Sequence, residues 1–177
     1  MLRISQGSYH LQISGCDQYR QRLVLYRIVL VYQMIRKINR NDRNIYLELT
    51  KRFYETDAVL EPIPEKHRID TFEELMRSDE YAQCYILESG HNVAGYALLS
   101  KTFSQEAGGI VTWLEEFYVM DEYRGMGLGK EFLSYMEKNI PAARFRLEVE
   151  EDNFKAISLY KRAGFSYLPY IQLKKDM

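Results

Sequence analysis

An apolar strand that runs into a glycine-rich turn and then into a helix most constrains the fold of this chain. It occupies residues 113–129, Trp-Leu-Glu-Glu-Phe-Tyr-Val-Met-Asp-Glu-Tyr-Arg-Gly-Met-Gly-Leu-Gly. Gly125, Gly127 and Gly129 have no Cβ atom, so the backbone can turn sharply there and a ligand can approach it closely. The first N–H groups of the following helix have no partner inside the helix. This order predicts an anion site, and a phosphate is its natural occupant.

The spacing of the glycines excludes two better-known phosphate-binding motifs. A dinucleotide-binding fingerprint that starts at Gly125 requires glycine or alanine where Lys130 stands. A Walker A motif that ends at Lys130 requires glycine in place of Arg124 and serine or threonine in place of Glu131. The pattern that remains is Arg124-x-x-Gly127-x-Gly129. A tight strand-to-helix turn without a ligand is the simpler alternative for this segment.

A second motif lies downstream, at residues 145–165. It reads Phe-Arg-Leu-Glu-Val-Glu-Glu-Asp-Asn-Phe-Lys-Ala-Ile-Ser-Leu-Tyr-Lys-Arg-Ala-Gly-Phe, a strand and an asparagine followed by Ala-Ile-x-Leu-Tyr on a helix that ends in Gly-Phe. Together the two motifs resemble those of the GNAT superfamily of N-acyltransferases, whose acyl-CoA pyrophosphate loop has the pattern Gln/Arg-x-x-Gly-x-Gly/Ala. They cover residues 113–165, and weaker similarity extends back to about Met34.

This resemblance implies both a fold and a reaction. The implied fold is α/β, a mixed central sheet of six to seven strands with helices on both faces, in which two strands splay apart at the acyl-CoA site. The implied reaction moves an acetyl group from acetyl-CoA, the co-substrate, to a primary amine by direct transfer in a ternary complex. A catalytically silent acyl-CoA-binding sensor or interaction module on the same fold is the alternative.

Composition supports one folded domain that acts on a small-molecule or peptide amine. Of 177 residues, 46% are hydrophobic and 14% aromatic, which is enough for a sizeable core. The net charge of −1 argues against a nucleic-acid binder, whose domain would be clearly basic. Neither the two cysteines, Cys16 and Cys84, nor the three histidines have the spacing of a metal site, so no metal is expected. The cysteine usage favours a reducing, cytoplasmic compartment, and a monomer and a homodimer are both compatible with the sequence.

Residues 1–33 differ from the rest and predict an N-terminal extension to a domain at residues 34–177. They hold four Arg and one Asp, and no Lys, Glu or Phe. The apolar run at residues 23–32 is interrupted by Arg27 and is shorter than the roughly 20 residues that cross a bilayer, so no membrane contact is expected. Since residues 34–38 resemble the start of a GNAT first strand, we expect Met34 to be the true start.

Hydrophobic periodicity predicts alternating strands and helices after Met34. Helices are expected at residues 40–55, 70–79, 128–140 and 153–164, the second with a capping box made by Thr71 and Glu74. Strands are expected at residues 34–38, 83–88, 93–103, 110–119, 145–149 and 165–173. The third helix is expected to bury Leu128, Phe132, Leu133, Met136 and Ile140.

By the same resemblance, main-chain groups form most of the acyl-CoA site. Backbone groups of Phe117, Tyr118 and Val119 are expected to pair with the pantetheine arm as if it were an added strand. Backbone N–H groups would hold the pyrophosphate, in the run Arg124, Gly125, Met126, Gly127, Leu128, Gly129 and Lys130. Side chains of Arg124 and Lys130 would add charge, and Asn153 would reach the pantetheine arm. The simpler alternatives are that Asn153 only caps a helix and that Lys130 is only solvated.

Tyr160 and two adjacent glutamates are the catalytic candidates. The resemblance places the hydroxyl of Tyr160 near the CoA sulfur as an acid, whereas its spacing also fits a core aromatic. Glu115 and Glu116 are the base candidates, because carboxylates in an apolar strand are costly to bury unless they are paired or employed. They point to opposite faces of a regular strand, but a bulge, usual here in the family, could re-aim either one. The resemblance to polyamine-type acetyltransferases favours Glu115, and a solvated or salt-bridged pair is the simpler alternative.

The amine acceptor is the least determined part of the site. An acidic set lies where relatives shape the acceptor pocket, and its charge would favour a cationic amine: Glu48, Glu55, Asp57, Glu61 and Glu65. Basic residues interspersed among them weaken that inference, so a solvated surface is the alternative.

Overall fold

The computed structural model describes residues 33–56, 59 and 61–176, which form five strands and four α-helices. The predicted extension lies outside the described residues except for Gln33. The strands are β1 (Gln33–Lys37), β2 (Ala82–Ser89), β3 (Asn92–Ser104), β4 (Gly109–Val119) and β5 (Arg144–Leu147). The helices are α1 (Arg43–Phe53), α2 (Glu65–Arg77), α3 (Leu128–Asn139) and α4 (Phe154–Arg162). None of these helices is long and apolar enough to cross a membrane.

The sheet is mixed and has the strand order β1-β2-β3-β4-β5. Its first four strands pair antiparallel in succession, and β5 pairs parallel with β4. The hairpin between β2 and β3 turns at Gly90, as predicted from its glycine and asparagine. A parallel partner requires a long crossover, which α3 supplies between β4 and β5.

Helices pack on both faces of the sheet, as predicted. On one face, α3 buries its apolar stripe against β2, β3 and β4, and α4 joins this cluster through Leu159 and Tyr160. All five residues expected on the inner face of α3 are buried: Leu128, Phe132, Leu133, Met136 and Ile140. On the other face, α1 and α2 pack Tyr46, Leu49, Phe72 and Leu75 against the sheet.

The connection from β1 to α1 is fixed by a buried carboxylate. Asp42 accepts hydrogen bonds from both terminal nitrogens of Arg36, at 2.7 and 2.8 Å, and from the Asn39 backbone. The Arg36 guanidinium holds the pKa of Asp42 below its usual value. The side chain of Asn39 in turn caps the short 3-10 turn before α1. These bonds set where α1 starts and therefore where its last turn reaches the sheet.

Two expectations about secondary structure are wrong. The sheet has five strands rather than six to seven, because residues 165–173 form no strand among the described residues. Tyr167 and Ile171 are exposed there, and Pro169 lacks the N–H that a strand ladder needs. Helix α2 begins at Glu65, five residues before the expected start. Thr71 makes no cap, since its hydroxyl donates to the His67 carbonyl within the helix.

Candidate active site

The glycine turn before α3 has open space around Gly125 and Gly127. Gly125 and Gly127 have φ angles of 79° and 92°, a left-handed conformation that other residues rarely adopt. A Cβ atom built at either position would meet no heavy atom within 4 Å. The Glu131 N–H makes the first helical bond, to Gly127, so the amides of Leu128, Gly129 and Lys130 precede the helical ladder. An open concavity with the positive end of a helix fits a diphosphate.

Gly129 packs this turn directly against β4 and α4. A Cβ atom at Gly129 would lie 2.8 Å from Cδ2 of Leu159 and 3.4 Å from Cε1 of Phe117. Leu159 precedes Tyr160 on α4, and Phe117 lies near the end of β4. The absent side chain therefore brings three predicted site segments together: the pyrophosphate turn, the pantetheine strand and the helix that carries Tyr160.

Charged and polar side chains around the turn have protein partners. The Arg124 guanidinium donates through Nε to the Val119 carbonyl at 3.0 Å and pairs with Asp121 at 2.8 Å. Because this ion pair is exposed, a diphosphate could compete for Arg124 at little cost. Asn153 is the N-cap of α4, with Oδ1 accepting from the Ala156 amide at 3.1 Å. Lys130 is exposed.

Tyr160 faces the same core cluster as α3. Its ring is half-buried and contacts Phe165 edge-on, with 5.9 Å between the ring centroids. Burial raises the pKa of Tyr160 to about 12. Its hydroxyl has no hydrogen-bond partner among the described residues. A tyrosine in this setting is a hydrogen-bond donor that stays protonated at neutral pH.

Strand β4 has a β-bulge at Glu115. Leu98 pairs with Glu116 and Leu99 with Leu114, so Glu115 is the extra residue on β4. Leu114 consequently packs on the α3 face, although simple alternation places it on the face of Glu116. The bulge anticipated from the resemblance is present, and strict alternation fails at this point.

Glu116 is buried beneath two tyrosines, whereas Glu115 is exposed. Tyr54 donates to Oε1 of Glu116 at 2.7 Å, and Tyr96 donates to Oε2 at 2.6 Å. Glu116 is only 9% exposed, and burial raises its pKa although both tyrosine bonds oppose the rise. Glu115 accepts a hydrogen bond from the Ser100 hydroxyl and is otherwise open to solvent.

The two tyrosines are residues that sequence reasoning missed. Tyr96 lies on β3, and Tyr54 lies one residue past the end of α1. Only the antiparallel register of β3 and β4 and the packing of α1 bring them to Glu116. The available signal was the pair of glutamates itself, because a buried carboxylate requires donors that must come from elsewhere in the chain.

The end of β4 has a strand on only one side among the described residues. Its pairing with β5 stops at Leu114 and Leu147, while its pairing with β3 continues to Val119. Phe117 and Val119 direct their side chains to the α3 face, and Tyr118 directs its ring to the α1 face. The backbone edge between these faces is what the pantetheine prediction requires.

A groove of about 610 Å³ runs along α3 and reaches the turn at Gly127 and Lys130. Its remaining lining residues are Ile35, Glu131, Ser134, Tyr135, Lys138 and Asn139. Tyr160, Glu115 and Glu116 are not among the residues that line it. The groove therefore touches the anion turn but is separate from the side chains suited to acid–base chemistry.

Comparison with known proteins points to one family. The model described as the Acetyltransferase (GNAT) family matches residues 43–165. The thialysine N-epsilon-acetyltransferase of Mus musculus is 32% identical over 114 residues, which cover 55% of this chain and 66% of that enzyme. The spermine/spermidine N(1)-acetyltransferase of Bacillus subtilis (strain 168) is 36% identical over 59 residues, 31% of this chain and 39% of that enzyme. The chain thus spans less than two thirds of the length of each.

Similarity to solved structures supports the fold. The aminoglycoside N-acetyltransferase AAC(6')-Iy, in complex with the bisubstrate analog CoA-S-monomethyl-acetylneamine, superposes with a TM-score of 0.68. The superposition covers 82% of this chain and 99% of that chain, at 16% sequence identity. At that identity the similarity shows the fold alone.

Removal of the Tyr96 hydroxyl should lower the stability of the protein, because Glu116 would lose a hydrogen-bond donor. The pKa of Glu116 is higher in the folded than in the unfolded protein. Its favourable contribution to the free energy of unfolding is therefore present below the unfolded pKa of about 4.3, and it is lost as the pH rises through the folded pKa. The Tyr96 bond offsets part of that loss. We therefore expect Tyr96→Phe to lower the free energy of unfolding by about 1.5–3 kcal/mol near pH 7.5 and by less near pH 4.5.

Urea denaturation at both pH values measures this difference. Tyr85→Phe is the matched control, because the Tyr85 hydroxyl lies 3.5 Å from Gln83 and makes at most a weak bond. An equal loss for Tyr96→Phe at both pH values would contradict the role given to Glu116 ionisation.

Proposed function

Because the chain belongs to the GNAT acetyltransferase family, we propose that it moves an acetyl group from acetyl-CoA to a primary amine by direct transfer in a ternary complex. The observation that carries the proposal is the contact at Gly129. It packs an open turn of backbone amides against the end of β4 and against the helix of Tyr160. A ligand whose diphosphate lies on that turn would extend its thioester toward the region between Tyr160 and the bulge.

In the reaction, the amine nitrogen attacks the thioester carbonyl carbon, a C–N bond forms and the C–S bond breaks. An alkylammonium has a pKa near 10.4, so the acceptor arrives protonated and loses two protons. One proton passes to a carboxylate and on to solvent before the attack. The second leaves the nitrogen after the C–N bond forms and ends on the CoA sulfur. No covalent enzyme intermediate is needed.

Glu115 is the proposed base. It occupies the bulge, it is exposed, and it lies one residue past the point where β4 parts from β5. An amine that approaches from solvent can therefore reach it directly or through one water. Glu116 is enclosed by Tyr54 and Tyr96, so its proposed role is to hold negative potential beside the cationic acceptor. The raised pKa of Glu116 is the argument for the reverse assignment.

Tyr160 is proposed to stabilise the leaving sulfur by a hydrogen bond. The pKa of Tyr160 is raised to about 12, which is well above the pKa of about 8.5 of a free thiol. Full transfer to the thiolate is thus uphill by about 5 kcal/mol, whereas donation of a hydrogen bond carries no such cost. Its half-buried ring, with no other partner for the hydroxyl in the described chain, is consistent with this role.

The remaining predicted residues are proposed to bind the co-substrate. Backbone groups of Phe117, Tyr118 and Val119 would pair with the pantetheine arm. The arm would lie in the gap where β4 and β5 are expected to splay apart. Amides from Gly125 to Lys130 would hold the diphosphate, and the side chains of Arg124 and Lys130 would add charge. The Arg124 amide, predicted as part of this set, already donates to the Asp121 carbonyl at 3.2 Å. Asn153 would reach the arm while it caps α4.

The acceptor is proposed to be a small amine, as the names of the relatives suggest. Thialysine, spermine or spermidine, and an aminoglycoside appear in those names, and each compound carries primary amino groups. The cytoplasmic location and the choice between monomer and homodimer remain predictions from composition.

The test is release of free CoA thiol from acetyl-CoA over a panel of amines that includes diamines, amino acids, peptides and aminoglycosides. We expect turnover with at least one amine, and a loss of roughly 10- to 1000-fold in kcat for Tyr160→Phe, or about 1.4–4 kcal/mol. The dissociation constant of acetyl-CoA should change little. An unaltered kcat would remove Tyr160 from the mechanism.

Binding of acetyl-CoA without turnover of any amine would instead favour the silent sensor. The Tyr160 hydroxyl and the exposed carboxylate of Glu115 argue against that alternative, since a sensor needs neither.

The two glutamates should respond differently to loss of charge. Glu115→Gln is expected to lower kcat by about 10²- to 10⁴-fold and to abolish the acidic limb of the pH profile. Glu116→Gln, a matched change one residue away, should mainly raise KM for a cationic amine. The pH dependence of kcat and kcat/KM for both variants measures this. A larger loss of kcat in Glu116→Gln would exchange the two roles.

A further inference from the structure

A row of side chains crosses the sheet beside Glu115. Ser100 on β3 pairs with Trp113 on β4, and Trp113 pairs with Arg146 on β5. Paired residues share a face, and Leu114 and Leu147 lie on the α3 face, so this row lies on the opposite one. Ser100 also donates to Glu115, which places the proposed base on the same face.

Arg146 is a half-buried cation to which the described residues supply no anion. Its guanidinium carbon lies 4.3 Å from the centroid of the Trp113 ring, so the group stacks on the indole. Its Nε is buried and has no hydrogen-bond partner, and Arg146 forms no ion pair in the described part of the chain. A buried Nε without a hydrogen-bond acceptor is costly, and the terminal nitrogens are not among the buried atoms, so a carboxylate can reach them.

The neighbouring arginine of β5 shows the contrast. Arg144 lies two residues earlier on the same face and pairs with Glu106 at 3.0 Å. Glu115 does not supply the missing anion to Arg146, because its carboxylate is bonded to Ser100 on the β3 side of β4. No described residue forms an ion pair with Arg146, so an external carboxylate is the partner that we assign to it below.

We propose that Arg146 binds a carboxylate of the acceptor, so that the acceptor is an amino acid with a side-chain amine rather than a polyamine. This inference rests on the proposed acetyltransferase function. The planar fork of arginine matches a carboxylate in two hydrogen bonds, and the Trp113 ring fixes the orientation of the fork. Arg146 would then select the substrate, while Glu115 deprotonates its amine.

The spacing along the strands suits such a molecule. Arg146 lies level with Trp113, and Glu115 is two residues further along β4, about 7 Å at 3.3 Å per residue. Lysine separates its carboxylate from its amine by the α-carbon and a four-carbon stem. Pairing of β4 and β5 ends one residue past Arg146, so the amine end would lie at the gap proposed for the thioester.

Matched acceptors test the inference. Thiol release is measured with L-lysine, with L-lysinamide, which has an uncharged amide in place of the carboxylate, and with cadaverine, which has neither group. We expect kcat/KM for lysine to exceed that for lysinamide and cadaverine by about 10- to 100-fold. Arg146→Gln should lower kcat/KM for lysine by about the same factor and leave the lysinamide value within about twofold.

Arg144→Gln is the control on the same strand and face, and it should keep the preference for lysine. The ratio between two acceptors also cancels any general loss of folding in a variant. Equal use of lysine and lysinamide, or an equal fall for both in Arg146→Gln, would overturn the inference while the acetyltransferase function stands. Preference for cadaverine or an aminoglycoside would do the same. Absence of turnover with every amine would instead refute the proposed function itself.

Discussion

Strand β4 is hydrogen-bonded to β3 as far as Val119 but loses β5 after Leu114, and most of the proposed chemistry depends on that loss. In the described chain, this leaves a backbone edge between two helical layers, where an extended ligand can add as a strand. Gly129 lets the edge lie close to the start of α3, because a Cβ atom there would lie 2.8 Å from Cδ2 of Leu159 and would require that side chain to shift. The end of the β4–β5 pairing and the small size of Gly129 thus define where a long, anionic co-substrate can lie.

The two faces of the sheet carry different chemistry. The α3 face holds the amide turn and Tyr160, which suit a diphosphate and a leaving sulfur. The opposite face holds Glu115, the Glu116 pair with Tyr54 and Tyr96, and Arg146 on Trp113. A thioester in the gap between β4 and β5 would be reached from one face by the acid and from the other by the amine. The bulge at Glu115 is what places a carboxylate next to that gap.

The sequence predicted the local features of this site more fully than the long-range ones. The helix stripe from Leu128 to Ile140 follows from periodicity alone, and the glycine turn follows from backbone sterics. The prediction of a last strand at residues 165–173 was wrong, because these residues pair with no other strand among the described residues and a strand requires a partner. The early start of α2 was signalled by Pro64, since proline is favoured at the beginning of helices.

Tyr54, Tyr96 and Arg146 could not be predicted, because their roles depend on register. A bulge changes which residues share a face, and only the pairing of Leu99 with Leu114 reveals its position. Burial of Glu116, and the lack of an acceptor for Nε of Arg146 among the described residues, are properties of packing between elements far apart in the chain. Sequence patterns identify the carboxylates as unusual, and the folded structure shows which groups satisfy them.

Titration calorimetry with coenzyme A and with pantetheine tests the central claim most directly, because pantetheine keeps the thiol arm but lacks the diphosphate that the amide turn is proposed to hold and the phosphoadenosine attached to it. The account predicts measurable heat with coenzyme A and binding of pantetheine that is weaker by about 100-fold or more. Absence of heat with coenzyme A, or equal affinity for the two ligands, would contradict it.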